Sequence, residues 1–207
     1  GTLHVPERAP AEAGEVILSL KGLSAPAPTE FGTPLRNINV EVRRGEILGI
    51  GGVAGNGQDE LLLALSGEMP TPAGMVSFQD KDISQMRPNG RRALGLLSAP
   101  EERMGHAAAP DMTLIENGFL TAETRMGLSK NGFLQWGKAR AYAEKVIQTF
   151  DVRTPSPDNA ARSLSGGNLQ KFVIGREILQ DPEVLIVNQP TWGVDAAAAA
   201  SIRQALL

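Results

Sequence analysis

Residues 164 to 171 read LSGGNLQK, and residues 184 to 195, one predicted helix later, read VLIVNQPTWGVD. The first stretch opens SGGNLQKFVIGREILQ, a predicted helix that carries Leu169, Phe172, Val173 and Ile178 on one side. A serine and two glycines at such a start leave backbone N–H donors and the positive end of the helix dipole open to an anion. The second stretch is an apolar run bounded by turn residues, which reads as a buried strand entering a loop. More than a hundred residues upstream stands GVAGNGQDEL at 52 to 61, running on from the apolar EILGIGG at 46 to 52.

That upstream segment has the glycine spacing of a loop that wraps nucleotide phosphates. In GxxxxGK[ST] consecutive backbone N–H groups and a helix N-terminus face the phosphates, while lysine and a hydroxyl complete the charge and magnesium shells. Here Gly52, Gly55, Asn56 and Gly57 keep the backbone, but Gln58 stands in the lysine position and Asp59 in the hydroxyl position. Taken alone, the loop is equally a glycine-rich strand-to-helix turn with no ligand.

Together, LSGGNLQK and VLIVNQPTWGVD resemble the signature, Walker B and D-loop segments of ATP-binding cassette ATPases. With the glycine loop upstream and a helical lobe between, the resemblance covers residues 15 to 207. The combination GNGQ, APEER, LSGGNLQK and QPTWGVD looks like the second, C-terminal cassette of the tandem ATPases that serve simple-sugar and nucleoside importers. The fold this implies is an α/β P-loop NTPase core of the cassette type. It has a mixed sheet with flanking helices, antiparallel strands at the N-terminus and a helical lobe at about 107 to 163.

The resemblance also implies ATP and Mg2+ as ligands and the N-terminal cassette, or a second cassette, as partner. It further implies a transmembrane permease, an indirect link to a substrate-binding protein, and a peripheral place on the cytoplasmic face of the inner membrane. Carried over by position, Gly52 to Asp59 form the phosphate loop and Glu101, in APEER, takes the place of the Q-loop glutamine. Leu164, Ser165, Gly166, Gly167 and Asn168 form the signature. Asn188 and Gln189 take the Walker B aspartate and catalytic glutamate positions, and Asp195 ends the D-loop. Asp59 and Asn188 are the candidate Mg2+ positions, and Phe31 is the nearest aromatic for stacking adenine. The switch histidine should follow one strand beyond the D-loop, but His4 and His106 are the only histidines and both lie upstream. The sequence is therefore expected to be a piece that stops before it.

The departures point one way. Lysine replaced by Gln58 exchanges a charge-assisted contact for a neutral one, a loss of about 1.5–3 kcal/mol. Asp59 brings a negative charge toward the phosphates, a repulsion on the order of 4 kcal/mol at ~4 Å and an effective dielectric of ~20. Its carboxylate alternatively occupies the helix N-terminus in the anion's place. Gln189 cannot accept a proton from attacking water, and loss of a general base costs about 10²–10⁴ in rate. Asn188 offers a neutral carbonyl where a magnesium-linked carboxylate belongs. The signature, by contrast, is intact. In cassette dimers it faces the partner's phosphate loop, so the resemblance implies that this domain completes the partner's ATP site in trans, with no intact catalytic residue in its own.

The rest of the chain sets bounds. Residues 1 to 14 are rich in Pro, Ala and Glu without hydrophobic period and read as a linker. VILSL and INVEV alternate and predict two half-buried strands; EILGIGG predicts a central strand, DELLLALSG a helix, and MVSFQD a short strand. RRALGLLSAPEE predicts a helix end and a strand. Between 111 and 150 two helical periods flank a turn, with no strand pattern, and Asp195 is the expected cap of a helix at the alanine run 196 to 200. Lys and Arg total 20 against 23 acidic residues, a net charge of −3, so a nucleic-acid partner is not expected. The chain has no cysteine, which excludes disulfides and thiol chemistry. No apolar run reaches the ~18 residues of a membrane span.

Plainer readings stand beside these. Glu101, Glu102 and Arg103 also read as a solvated charge cluster. Phe133 and Trp136 read as packing residues, Trp192 as packing under its loop or as an interface residue, and His106 as a loop residue. A structural or regulatory dimerisation module that never binds nucleotide is the competing function. A chromosome-maintenance or repair cassette would need long heptads in the interval, which are absent. A translation-associated cassette would need a basic surface.

Overall fold

A computed structural model describes residues 12–207. Most of the predicted linker at 1 to 14, and His4, lie outside the described residues. The chain divides into two compact units, one ending at Leu97 and the other beginning at Ser98.

The first unit is built on an antiparallel sheet. β1 (Val16–Ala25), β2 (Leu35–Arg43), β3 (Val76–Phe78) and β4 (Lys81–Asp82) lie in the order β2-β1-β3-β4. β1 pairs with β2 through Leu20 and Val40 and with β3 through Leu18 and Phe78. It has a strand on each side and is buried on both faces from Ile17 to Leu20, whereas β2 alternates between exposed and half-buried residues. The half-buried expectation thus fits β2 and understates β1.

Helix α1 (Gln58–Ser66) starts at Gly57 and buries Leu61, Leu62, Ala64 and Leu65. Its end is closed by Gly67, at φ 86°, and by Arg91 of the short α2 (Pro88–Ala93). The fully buried Arg91 guanidinium donates to the Ala64 and Leu65 carbonyls at 2.7 and 2.8 Å, and to Met86 and Ser84 at 2.9 and 3.1 Å. Helix-end carbonyls that have no partner within the helix are satisfied this way. Burial pushes the Arg91 pKa down to about 10, so it remains a cation at neutral pH.

The central strand expected at EILGIGG is not formed. Residues 46 to 53 have no regular structure, and Ile47, Leu48, Ile50 and Val53 are exposed, Val53 by 76%. An apolar run becomes a strand only where another backbone offers a ladder of N–H and C=O groups. Among the described residues none pairs with this segment.

In the second unit, β5 (Leu96–Ala99), which crosses the boundary, pairs with β8 (Val184–Val187). β8 is half-buried along its length, not buried as its composition predicts. Between them run α3 (Leu114–Met126), the two-residue strands β6 (Ser129–Lys130) and β7 (Phe133–Leu134), α4 (Trp136–Thr149) and α5 (Gly166–Ile178). The expected turn between α3 and α4 is thus a small hairpin, whose Phe133 and the adjoining Trp136 are exposed instead of packed. Thr113 and Glu116 form a reciprocal capping box at the start of α3, which fixes that boundary. The core gathers Leu114, Ile115, Tyr142, Val146, Leu169, Phe172 and Val173 from α3, α4 and α5. α4 and α5 approach closely at Gly175, where a Cβ would overlap the Phe150 ring. The last helix, α6 (Ala196–Leu206), follows β8 after the loop.

Candidate functional site

The predicted site residues fall into two constellations, one in each unit. In the first, Gly55 and Gly57 have φ of 84° and 100°, a left-handed backbone that glycine adopts without strain. Such curls form the anion-binding concavities of phosphate loops. No side chain caps α1, while Asp59 and Glu60 stand in its first turn, where carboxylates complement the dipole.

Gln58 turns inward. Its amide nitrogen donates to the Val53 carbonyl and its amide oxygen accepts from the Asn56 N–H, both at 3.0 Å. The side chain lies so close over Gly52 that a Cβ there would sit 2.8 Å from Nε2. Lysine has donors only and could not take the Asn56 N–H. The amide therefore substitutes a bond within the loop for the expected contact to phosphate.

Thr33 was not singled out in the sequence, yet it anchors the segment after β1 to this loop. Its hydroxyl donates to the Gly55 carbonyl at 3.1 Å and its N–H to the Glu60 carboxylate at 2.8 Å. Phe31, two residues earlier, is 94% exposed and packs against nothing that would fix a stacking geometry.

The second constellation joins the signature, the APEER turn and the loop after β8. Ser165 is the N-cap of α5 and accepts from the Asn168 N–H; it is exposed, as is Gly166. Leu164, immediately before, is buried and fixes the approach of the chain. Asn168 donates to the Ser165 hydroxyl and accepts the Arg153 N–H at 2.8 Å. A Cβ on Gly167 would lie 3.1 Å from Ala198 Cβ, so the second signature glycine allows α5 to approach the start of α6.

At the end of β8 the Asn188 N–H bonds the Ala99 carbonyl at 3.1 Å, holding the half-buried Asn188 beside the start of the APEER turn. Gln189 is exposed, with φ 48°, and bends the chain into the loop. Glu101 is half-buried and Glu102 exposed. Asp195 caps α6 through the Ala198 N–H at 2.9 Å, a bond that holds its carboxyl below the usual value of 3.8. Trp192 is 65% exposed, which removes the reading that it packs under its own loop.

Two further residues organise this region. Arg103 donates to the Trp192 carbonyl at 2.7 Å, so it is not merely part of a solvated charge cluster. Gln170, buried at the core side of α5, donates to the Pro190 carbonyl at 2.9 Å. Neither contact leaves a sequence signal, because the partners are backbone atoms far along the chain. Among the described residues no group of three or more His, Asp or Glu side chains converges on a metal position. No described helix is long and apolar enough to cross a membrane.

A P-loop α/β fold with a glycine phosphate loop, a helical region and an LSGG helix start defines an ATP-binding cassette. The family model described as ABC transporter matches residues 35–192, and the chain belongs to that family. It is 36% identical over 203 residues to a nucleoside import ATP-binding protein of Lactococcus lactis, covering 98% of this chain and 40% of that protein. It is 37% identical over 209 residues to a glucose import ATP-binding protein of Haloferax volcanii, covering 99% and 38%. A guanosine import ATP-binding protein of Bacillus subtilis is 35% identical over 201 residues, covering 97% and 39%. The chain thus spans about two fifths of the length of these relatives. Among solved structures, a dimeric ATP-binding cassette in a post-hydrolysis state with ADP and Pi matches with a TM-score of 0.73 at 20% identity, covering 92% of this chain and 81% of that one. A nucleotide-free cassette of an ABC transporter matches with a TM-score of 0.67 at 22% identity, covering 91% and 74%. These two likenesses establish the fold.

Proposed function

We propose that this chain is the second, C-terminal cassette of a tandem ATPase that drives import of a sugar or nucleoside. Its signature completes the partner cassette's ATP site in trans, while its own phosphate loop binds ATP weakly and is poorly suited to hydrolysis. The observation that carries this reading is the exposed Ser165–Gly166 corner at the start of α5. It offers backbone donors and a dipole end to an anion.

ATP supplies the phosphoanhydride whose hydrolysis powers transport. The loop backbone from Gly52 to Asp59 fits a polyphosphate, and Mg2+ would arrive with the phosphate oxygens, Asp59 and Asn188 being the nearest substitutes for the usual ligands. Gln189 cannot serve as the general base, since its amide accepts no proton from the attacking water. Residues 1 to 14 serve as the link to the preceding cassette, residues 107 to 163 as the lobe facing the permease, and Glu101 as the joint between lobe and nucleotide. The names of the relatives, all import ATP-binding proteins, support a permease partner and a peripheral position at the membrane; a substrate-binding protein beyond the permease and a place on the cytoplasmic face complete the proposal.

A second reading, a structural or regulatory module that binds no nucleotide, is favoured by the two bonds that Gln58 makes inside its own loop. Titration of a fluorescent ATP analogue with Mg2+ into this chain separates the two. Saturable binding in the micromolar range supports weak binding in cis; no binding at millimolar nucleotide supports the module.

A further inference from the structure

Arg103 is the point at which three segments of the second unit meet. It lies in the APEER turn, whose backbone is held by the Ala107 N–H on the Glu102 carbonyl at 3.0 Å and the Ala108 N–H on the Arg103 carbonyl at 2.8 Å. From this anchored base its Nη1 donates to the Trp192 carbonyl at 2.7 Å. Its Nη2 lies 3.2 Å from where a Cβ on Gly193 would stand and 3.5 Å from where one on Gly166 would stand. The Gly166 Cβ position is in turn 3.7 Å from the Gly193 carbonyl. The guanidinium therefore fills the corner between the signature turn and the loop after β8, and both flanking residues are glycines.

The stability of α5 does not call for a cation here, since the dipole disfavours positive charge beside a helix N-terminus. The bond to the Trp192 carbonyl accounts for its place, because a guanidinium carries its donors in a fixed fork at the end of a long stem that reaches this carbonyl. Gly193, with φ 63°, needs an external hold of this kind to keep one conformation. We propose that Arg103 is a positioning residue, which makes the loop from Pro190 to Asp195, the signature turn and the Glu101 segment move as one body. This rests on the reading that the signature acts on nucleotide held by the partner cassette. Its addition is that the signature is competent only while Arg103 ties it to the other two segments.

The test uses the full tandem protein with its permease and compares Arg103→Met, Arg103→Lys and Ser165→Arg. Methionine keeps an unbranched apolar stem without a donor, and lysine carries a donor on a stem nearly long enough to reach the Trp192 carbonyl. Arg103→Met is expected to lower kcat about 10-fold or more with KM for ATP within about twofold, while Arg103→Lys retains most of kcat. Melting temperatures of the three variants separate this from loss of folding, and the Met against Lys comparison decides the matter even if both melt lower. Equal kcat in Arg103→Met and wild type, with turnover abolished by Ser165→Arg, overturns the role of Arg103 alone. Turnover indifferent to Ser165→Arg overturns the trans-signature reading and this proposal with it.

Discussion

The Ser165 hydroxyl takes two donors from one residue, the backbone N–H of Asn168 at 3.4 Å and its side-chain amide at 2.9 Å. The cap that starts α5 and the polar side chain that follows the signature glycines are thus one unit. Ser165→Ala is expected to lower stability by about 1 kcal/mol, as loss of an N-cap does, measured by urea unfolding of this chain. Ser165→Arg places a long cation in the exposed corner and is expected to abolish most ATP turnover of the full tandem protein.

Gln58 is expected to matter far less to turnover. Its side chain is satisfied by Val53 and Asn56 within the loop. Gln58→Ala should leave steady-state hydrolysis by the tandem protein nearly unchanged. A large loss on Gln58→Ala, together with tolerance of Ser165→Arg, reverses the assignment of the two sites.

Arg91 is expected to be a stability residue of the first unit. Arg91→Met removes the donors to the Ala64, Leu65, Met86 and Ser84 carbonyls and leaves them buried without those bonds. The cost is at least about 3 kcal/mol, read as a lowered urea midpoint, with nucleotide affinity changing only as far as the unit unfolds.

Asp195 gives α6 a pH-dependent start. Its bond from the Ala198 N–H lowers its carboxyl pKa in the folded state below 3.8. A group depressed on folding contributes stability in full above its unfolded value and loses it as pH falls through the lower folded value. The stability difference between wild type and Asp195→Ala should therefore be largest at neutral pH and shrink below about pH 3.8. Paired urea titrations at pH 7 and pH 3 measure it, and a difference that grows toward pH 3 contradicts the capping assignment.

Gly175 of α5 lies against Phe150, the residue that closes α4. A methyl group there would overlap the Phe150 ring, so Gly175→Ala should destabilise the chain by about 1–3 kcal/mol through overpacking, despite alanine's better helix propensity. Phe150→Leu in the same chain should relieve part of that loss, and thermal unfolding of the three variants checks it.

The sequence by itself determined the elements whose cause is local. The alternation of β2, the Asp195 start of α6 and the glycine loop before α1 depend on residues within a few positions of one another, whereas α5, read as apolar on one side, is buried nearly all round from Leu169 to Glu177. The order of the glycine loop, the signature and the segment after β8 was likewise enough to carry the family. What only the tertiary structure decided depends on atoms that meet from distant positions or on backbone groups that all residues share. EILGIGG is apolar enough for a strand, but strand formation requires a partner ladder, and no property of its own side chains supplies one. The inward turn of Gln58 depends on the left-handed glycines that curl the loop beneath it. The bond from Arg103 to Trp192 joins positions 89 residues apart through a carbonyl oxygen, a group identical in every residue and therefore silent in sequence.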